Sequence, residues 1–364
     1  MTAAVLFVLL TLHCLPLQAA GQGKNGSRRA DLYMIENSRN TDSSTKRSPE
    51  RVYVSGEPVG LYIRTKGLLV LATQETDDSG EKRQPSKNKL FPGDYILKAD
   101  QVDLNSGKDL RSFLRKNKNK EIVFTILRKG CRQKVRIRPA WSDRSGSFMI
   151  GAWVRSDTQG IGTITCIRPD GRFVALGHGI HDYDLGVSMD IAGGSIYRAD
   201  ISTIMKGDVK KPGEVIGSID YAGDNYLGRI FGNVKSGVFG KLNKKPDPAD
   251  GDRLYAVADD SEIKSGKAFL RSSISGRSKD YTVEIEKNPR MKKKGIKTLK
   301  IHVTDPELLA LTGGIVQGLS GSPLLQDGRL VGAVTHVLVD DPTRGYGITA
   351  REMLEEANDI PSPE

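Results

Sequence analysis

The sequence predicts a mainly β protein: a small N-terminal module followed by a larger domain of two antiparallel barrels. Three observations carry that prediction. Short apolar runs alternate with polar residues at the two-residue period of half-buried strands. Glycine is abundant, 40 of 364 residues, and punctuates those runs where turns need it. Long amphipathic stretches are scarce, and a single clear helix pattern stands out at residues 106–116.

The length allows two ordinary domains. Hydrophobic residues at 37% and charged residues at 27% fit a globular chain with some exposed linker. A net charge of +11 raises the question of an anionic partner. Part of the excess sits in one cluster, Arg290, Lys292, Lys293, Lys294 and Lys297, which reads either as a solvated hairpin tip or as a site of weak attraction to anionic lipid. No zinc-knuckle spacing and no aromatic-interleaved basic motif accompanies it, so a nucleic-acid partner is not expected. The five histidines and three cysteines show no metal-like spacing, and no metal or other cofactor is expected. Cys131 and Cys166 read as isolated thiols in strands, with pairing left open; Cys14 lies in the leader.

In chain order, residues 1–20 form a nearly unbroken apolar run of signal-peptide length, too short for a comfortable membrane span. Ala19, Ala20 and Gly21 suit a signal peptidase. No positive residue precedes the run. Export is expected, with retention as an anchor the alternative. Residues 21–50 are rich in Ser, Asn, Arg, Lys and Asp and read as a solvated linker open to proteolysis.

Residues 51–140 read as one module. Gly60-Leu61-Tyr62-Ile63 is a glycine turn entering a strand, the shape of a PDZ carboxylate-binding loop. Phe91-Pro92-Gly93-Asp94 then turns into a strand over Tyr95-Ile96-Leu97-Lys98. Ser106 caps a helix whose Leu110, Phe113 and Leu114 share one face. Strands at 122–127 and 134–137 close the sheet. Such a PDZ-like module binds peptides by strand addition and capture of a chain end.

A polar hinge at 141–147 leads to a second domain, residues 148–356. A strand at 160–167, a turn over Pro169-Asp170-Gly171 and a strand at 173–178 open it. His178 ends that strand between Gly177 and Gly179, an accessible and rigid mount for a general base. His181 is a weaker rival, His302 lies in an alternating strand, and His336 follows a strand where it can touch substrate. Gly-punctuated short strands fill 186–256. A proton-shuttling imidazole needs a carboxylate to orient it. The candidates are Asp305, Asp182, Asp184 and Asp220. Asp305 sits a short loop before the key serine, although Asp305-Pro306-Glu307 also reads as a helix cap.

The chemistry centres on Gly318-Leu319-Ser320-Gly321-Ser322-Pro323. Glycines let the backbone turn so that its N–H groups converge. Ser320 is then the nucleophile, and the N–H groups of Gly318 and Ser320 hold the developing oxyanion. Ser322, extended before Pro323, is placed after the turn. A hairpin follows, with Leu324-Leu325 and Leu330-Val331-Gly332-Ala333-Val334 as its arms.

This stretch resembles the end of a chymotrypsin-like serine protease domain. Taken with Ala175-Leu176-Gly177-His178-Gly179, Thr304-Asp305-Pro306 and Gly332-Ala333-Val334-Thr335-His336-Val337, it resembles the stage IV sporulation protein B peptidases of endospore-forming bacteria. The resemblance spans about residues 51–356. It implies an exported serine endopeptidase with a PDZ domain and a chymotrypsin-like double β-barrel, and it places the catalytic groups on His178, Asp305 and Ser320. It further implies secretion from the forespore into the space between the two spore membranes. There the enzyme would cleave its own N-terminal region and an extracytoplasmic segment of a membrane-bound protease inhibitor, releasing activation of a mother-cell sigma factor. The competing reading is a PDZ-led peptide-binding scaffold whose protease-like domain is inert.

Overall fold

The structure is a computed structural model describing residues 49–361 apart from 79, 248–252 and 289–294. The apolar leader, nearly all of the linker, most of the Pro-flanked loop at 247–252 and the tip of the basic cluster lie outside the described residues. From Glu50 onward the chain packs as one unit.

Two closed six-stranded barrels, antiparallel throughout, make up most of it, in the chymotrypsin-like arrangement the sequence predicts. The first runs Pro58–Thr73, Ala152–Ile167, Arg172–Ala175, Gly237–Leu242, Tyr226–Val234 and Ile191–Met205, which returns to pair with Pro58–Thr73. The second runs Gly266–Ser272, Lys279–Lys287, Leu299–Val303, Asp341–Thr349, Arg329–Leu338 and Pro323–Gln326, which pairs back onto Gly266–Ser272. Alternation explains both interiors. Val59, Leu61 and Ile63 point into the first barrel, and Tyr281, Val283 and Ile285 into the second.

A separate apolar cluster joins the barrels beneath the C-terminal helix Ala350–Asn358, with Val174, Phe239, Leu330, Ile348 and Met353 at its centre. Two short strands add to the join. Arg51–Val54 pairs with both Ala152–Ile167 and Leu254–Val257, and Leu254–Val257 pairs in parallel with Arg329–Leu338.

The N-terminal module is built on the far half of Pro58–Thr73, with Tyr95–Ala99, Val102–Asp103, Ile122–Arg128 and Cys131–Ile137. Its helix, Gly107–Asn117, forms where the sequence places it. The Ser106 hydroxyl accepts the Asp109 N–H, and Leu110 and Leu114 are buried in the module's core.

Two expectations are corrected here. The line drawn between residues 51–140 and 148–356 is crossed by Pro58–Thr73: residues up to Thr65 close the first barrel, and only Leu68 onward belongs to the module. For the same reason Gly60, Leu61, Tyr62 and Ile63 are not a peptide-binding loop. They lie mid-strand, paired on one edge with Thr158, Gln159, Gly160 and Ile161 and on the other with residues 194–197. No edge remains there for a ligand strand. The two thiols are unpaired; Cys131 is exposed, and burial pushes the Cys166 thiol up to about 12.

Candidate active site

The Ser320 loop is set from both ends. Upstream, helix Pro306–Thr312 ends at Gly313, whose φ of 74° is left-handed. Downstream, Pro323 begins the predicted hairpin, Pro323–Gln326 paired with Arg329–Leu338. Between them the first barrel grips the loop. The Thr163 N–H donates to the Ser320 carbonyl at 3.2 Å, and the hydroxyls of Thr163 and Thr165 donate to the carbonyls of Gly318 and Gly321 at 2.8 and 2.7 Å. The Gly321 N–H donates to the Val334 carbonyl at 2.8 Å.

These bonds consume carbonyls and leave two amides. Among the described residues, neither the Gly318 nor the Ser320 N–H donates to a protein acceptor, the condition an oxyanion hole requires. Gly321 has φ 93°, and a Cβ there would meet the Thr163 carbonyl oxygen at 2.3 Å and the Leu176 nitrogen at 2.5 Å. Only glycine allows so close an approach. Ser320 is half-buried and Ser322 wholly buried, with no partner for its hydroxyl. Of the two hydroxyls, that of Ser320 is therefore the accessible one.

Gly321 touches the chain two residues before His178, so the loop and the histidine strand meet. The strand ends under strain: Leu176, buried in the barrel, adopts φ 70°, a conformation costly for a bulky side chain. Two residues on, His178 Nδ1 lies 3.0 Å from the Gly179 carbonyl oxygen. Donation from Nδ1 to that carbonyl leaves Nε2 as the basic nitrogen. Burial, the largest influence, lowers the His178 pKa below its ordinary value, so the neutral base predominates at neutral pH. The His336 ring packs 5.5 Å from that of His178, centroid to centroid, and its Nδ1 is buried without a partner. Burial and the neighbouring His178, Lys297 and His181 hold it down at about 3.

Asp305 makes no hydrogen bond to His178. Its Oδ1 accepts the N–H groups of Glu307 and Leu308, at 2.9 and 3.1 Å, and its Oδ2 accepts that of Thr282 at 3.1 Å. It caps the helix that leads into the Ser320 loop, and its lowered pKa reflects those backbone donors acting against burial. Asp220 caps a turn at 222–225. Asp182 and Asp184 both bind Arg155. His181 shares the Gly179 carbonyl with His178, and His302 faces Glu284 on the second barrel. Sequence reasoning missed Thr163, Thr165 and Arg155. The signal for the threonines was two hydroxyls on one face of an otherwise apolar strand.

The SpoIVB peptidase S55 family matches residues 146–354. No curated protein matches the chain. Among solved structures, the active form of the Rv3671c protease from M. tuberculosis is 17% identical, covering 58% of this chain and 77% of that one at a TM-score of 0.33. The inactive form of that protease is 16% identical, covering 56% and 85% at 0.31. The human heparin binding protein is 12% identical, covering 56% and 87% at 0.29.

Proposed function

The chain belongs to the SpoIVB peptidase S55 family and is a serine peptidase of sporulation; on that footing we propose that it is a signalling endopeptidase acting by acyl-enzyme chemistry at Ser320. The observation that carries the site assignment is the pair of amides, Gly318 and Ser320, left without acceptors beside the one reachable hydroxyl. The Ser320 hydroxyl adds to a peptide carbonyl while His178 Nε2 takes its proton. The negative charge forms on the carbonyl oxygen, within reach of the two amides. Collapse breaks the C–N bond, and His178 returns the proton to the leaving amine. Water, deprotonated by the same imidazole, then releases the acyl group. Asp305 acts on the loop, through its cap, rather than on the proton.

The protein substrate proposed is an extracytoplasmic segment of a membrane-bound protease inhibitor, together with the chain's own N-terminal region. Export from the forespore into the space between the two spore membranes is part of the same reading and rests on the apolar leader. The module carrying helix Gly107–Asn117 is read as PDZ-like. Its glycine entry is Gly67, before the strand that faces the helix, in place of Gly60.

A Ser320→Ala protein made in an exporting host is expected to fold, to resist fluorophosphonate labelling and to keep its N-terminal region uncut by itself. Loss of the nucleophile should lower the rate by roughly 10⁴ to 10⁶. Undiminished self-cleavage in that variant, read by N-terminal sequencing, would refute the assignment and favour an inert scaffold.

A further inference from the structure

The N-terminal module grips a piece of its own chain. Ala152, Trp153, Val154 and Arg155 pair antiparallel with Thr73, Ala72, Val70 and Leu69. Ile150 is part of the module's core, and Ala152 and Val154 pack against it beside Leu110, Phe113 and Leu114 of the helix. A segment lying on a strand edge, with alternate side chains turned towards a helix, is the geometry of strand addition. Here the added strand is the start of Ala152–Ile167, which continues into the first barrel and ends on Thr163 and Thr165 at the Ser320 loop.

Arg155 closes the gripped segment, and its guanidinium reaches the turn that follows His178. One arm meets Asp182 Oδ2 at 2.5 Å and the other Asp184 Oδ2 at 2.6 Å. Asp182 is wholly buried at its side chain. Its Oδ1 accepts the N–H groups of Asp184 and Leu185, each at 3.0 Å, and its own N–H donates to the Val187 carbonyl at 2.8 Å. The turn is therefore built around this carboxylate. A second tie lies past it: the Asp190 N–H donates to the Tyr95 hydroxyl of the module at 2.9 Å.

We infer that Arg155 is a positioning residue for His178, holding the turn that directly follows the imidazole at a place the N-terminal module dictates. A buried carboxylate without its cation is strongly unfavourable, so the turn cannot keep this shape unless Arg155 arrives. The planar fork holds the two carboxylates on two separate nitrogens in a fixed geometry, whereas an ammonium offers all its donors from one freely rotating nitrogen and cannot reproduce that spacing. The inference rests on the reading of His178 as the base.

The test compares full-length wild type, Arg155→Lys, Arg155→Gln and Asp184→Asn in two readouts. One is the rate at which a fluorophosphonate labels Ser320. The other is the position of the His178 ring resonances at one fixed pH, with thermal midpoints as the control for folding. Both Arg155 variants are expected to label at least tenfold more slowly, with the loss in the inactivation step rather than in probe affinity, and to shift the His178 resonances. Asp184→Asn, which removes the more exposed arm and leaves the buried pair, should slow labelling a few-fold with an unchanged midpoint. Wild-type labelling in Arg155→Lys overturns the inference, because a role in charge alone would be rescued by lysine. Should the Arg155 variants not fold, Asp184→Asn decides: unmoved resonances and an unmoved rate overturn it. Shifted resonances in a protein whose Ser320 takes no probe even in the wild type would uphold the placement and sink the peptidase reading instead.

Discussion

Asp305 and His178 exemplify how one residue's role depends on what its atoms already hold. With three backbone donors on its carboxylate, Asp305 has little left to offer an imidazole. Asparagine can cap a helix nearly as well as aspartate, whereas alanine costs about 1 kcal/mol. Asp305→Asn keeps the cap through its one carbonyl oxygen and gives up the bond from the Thr282 N–H, so it should lose some stability yet retain most of the activity, and Asp305→Ala should lose more stability and slow labelling through a disordered loop. A fall of several orders of magnitude in the asparagine variant would restore the carboxylate to the proton path. His178 makes a pH prediction. Its pKa is lowered, chiefly by burial, so the active neutral form persists to more acid pH than a free imidazole would allow. Labelling should rise through a midpoint below 6.5 and be flat at neutrality. The stability consequence has the opposite dependence to that of a His paired with an acid. The folded state binds this proton more weakly than the unfolded one, so stability is fully present above about pH 6.5 and falls as the pH drops below it. His336, held at about 3, extends that loss to lower pH. Denaturation midpoints measured from pH 8 to pH 4 would check the sign.

Among the elements, the strand Ala152–Ile167 spans the largest functional distance. Its start lies in the N-terminal module, its middle closes the first barrel, and its end supplies the threonines that hold the Ser320 loop. The loop in turn depends on Gly321 lying against that strand and against Leu176. An alanine at 321 would bring a methyl group to within 2.3 Å of the Thr163 carbonyl oxygen at a left-handed φ. Gly321→Ala should cost about 2 kcal/mol or more and abolish labelling. A variant with a wild-type midpoint and rate would mean that the loop can move aside freely. Thr163→Val, which keeps the shape and removes the hydroxyl bond to the Gly318 carbonyl, should slow labelling with a stability loss of about 1 kcal/mol.

For the whole molecule, the barrels depend on a short N-terminal strand. Arg51–Val54 lies between a strand of the first barrel and Leu254–Val257, and Arg168, buried, donates to Glu50 at 2.7 Å and to the Leu354 carbonyl at 3.1 Å. A chain beginning at Glu50 should have a thermal midpoint several degrees above that of a chain lacking residues through Gly56. Equal midpoints for the two truncations would contradict the strand's role. Much of this architecture was legible from local pattern. Period-two alternation, glycine turns and the Ser106 cap each act between near neighbours, so strands, the helix, the hairpin and the Ser320 loop could be read in order. Local pattern also supplied His178, flanked by glycines at a strand end. It could not say which of two similar runs, Gly60-Leu61-Tyr62-Ile63 or Gly67-Leu68-Leu69-Val70, faces a helix and which is sealed inside a barrel. That depends on partners more than eighty residues away, at positions 154–161 and 194–197. The same is true of Asp305, whose fate is settled by the Thr282 N–H on a neighbouring strand, and of Arg155, which finds its carboxylates 27 and 29 residues on. Neighbouring residues were enough to say what each segment is and which side chains can do chemistry. What each of those groups touches came from the folded chain, because burial and hydrogen-bond competition are set by contacts between segments far apart in sequence.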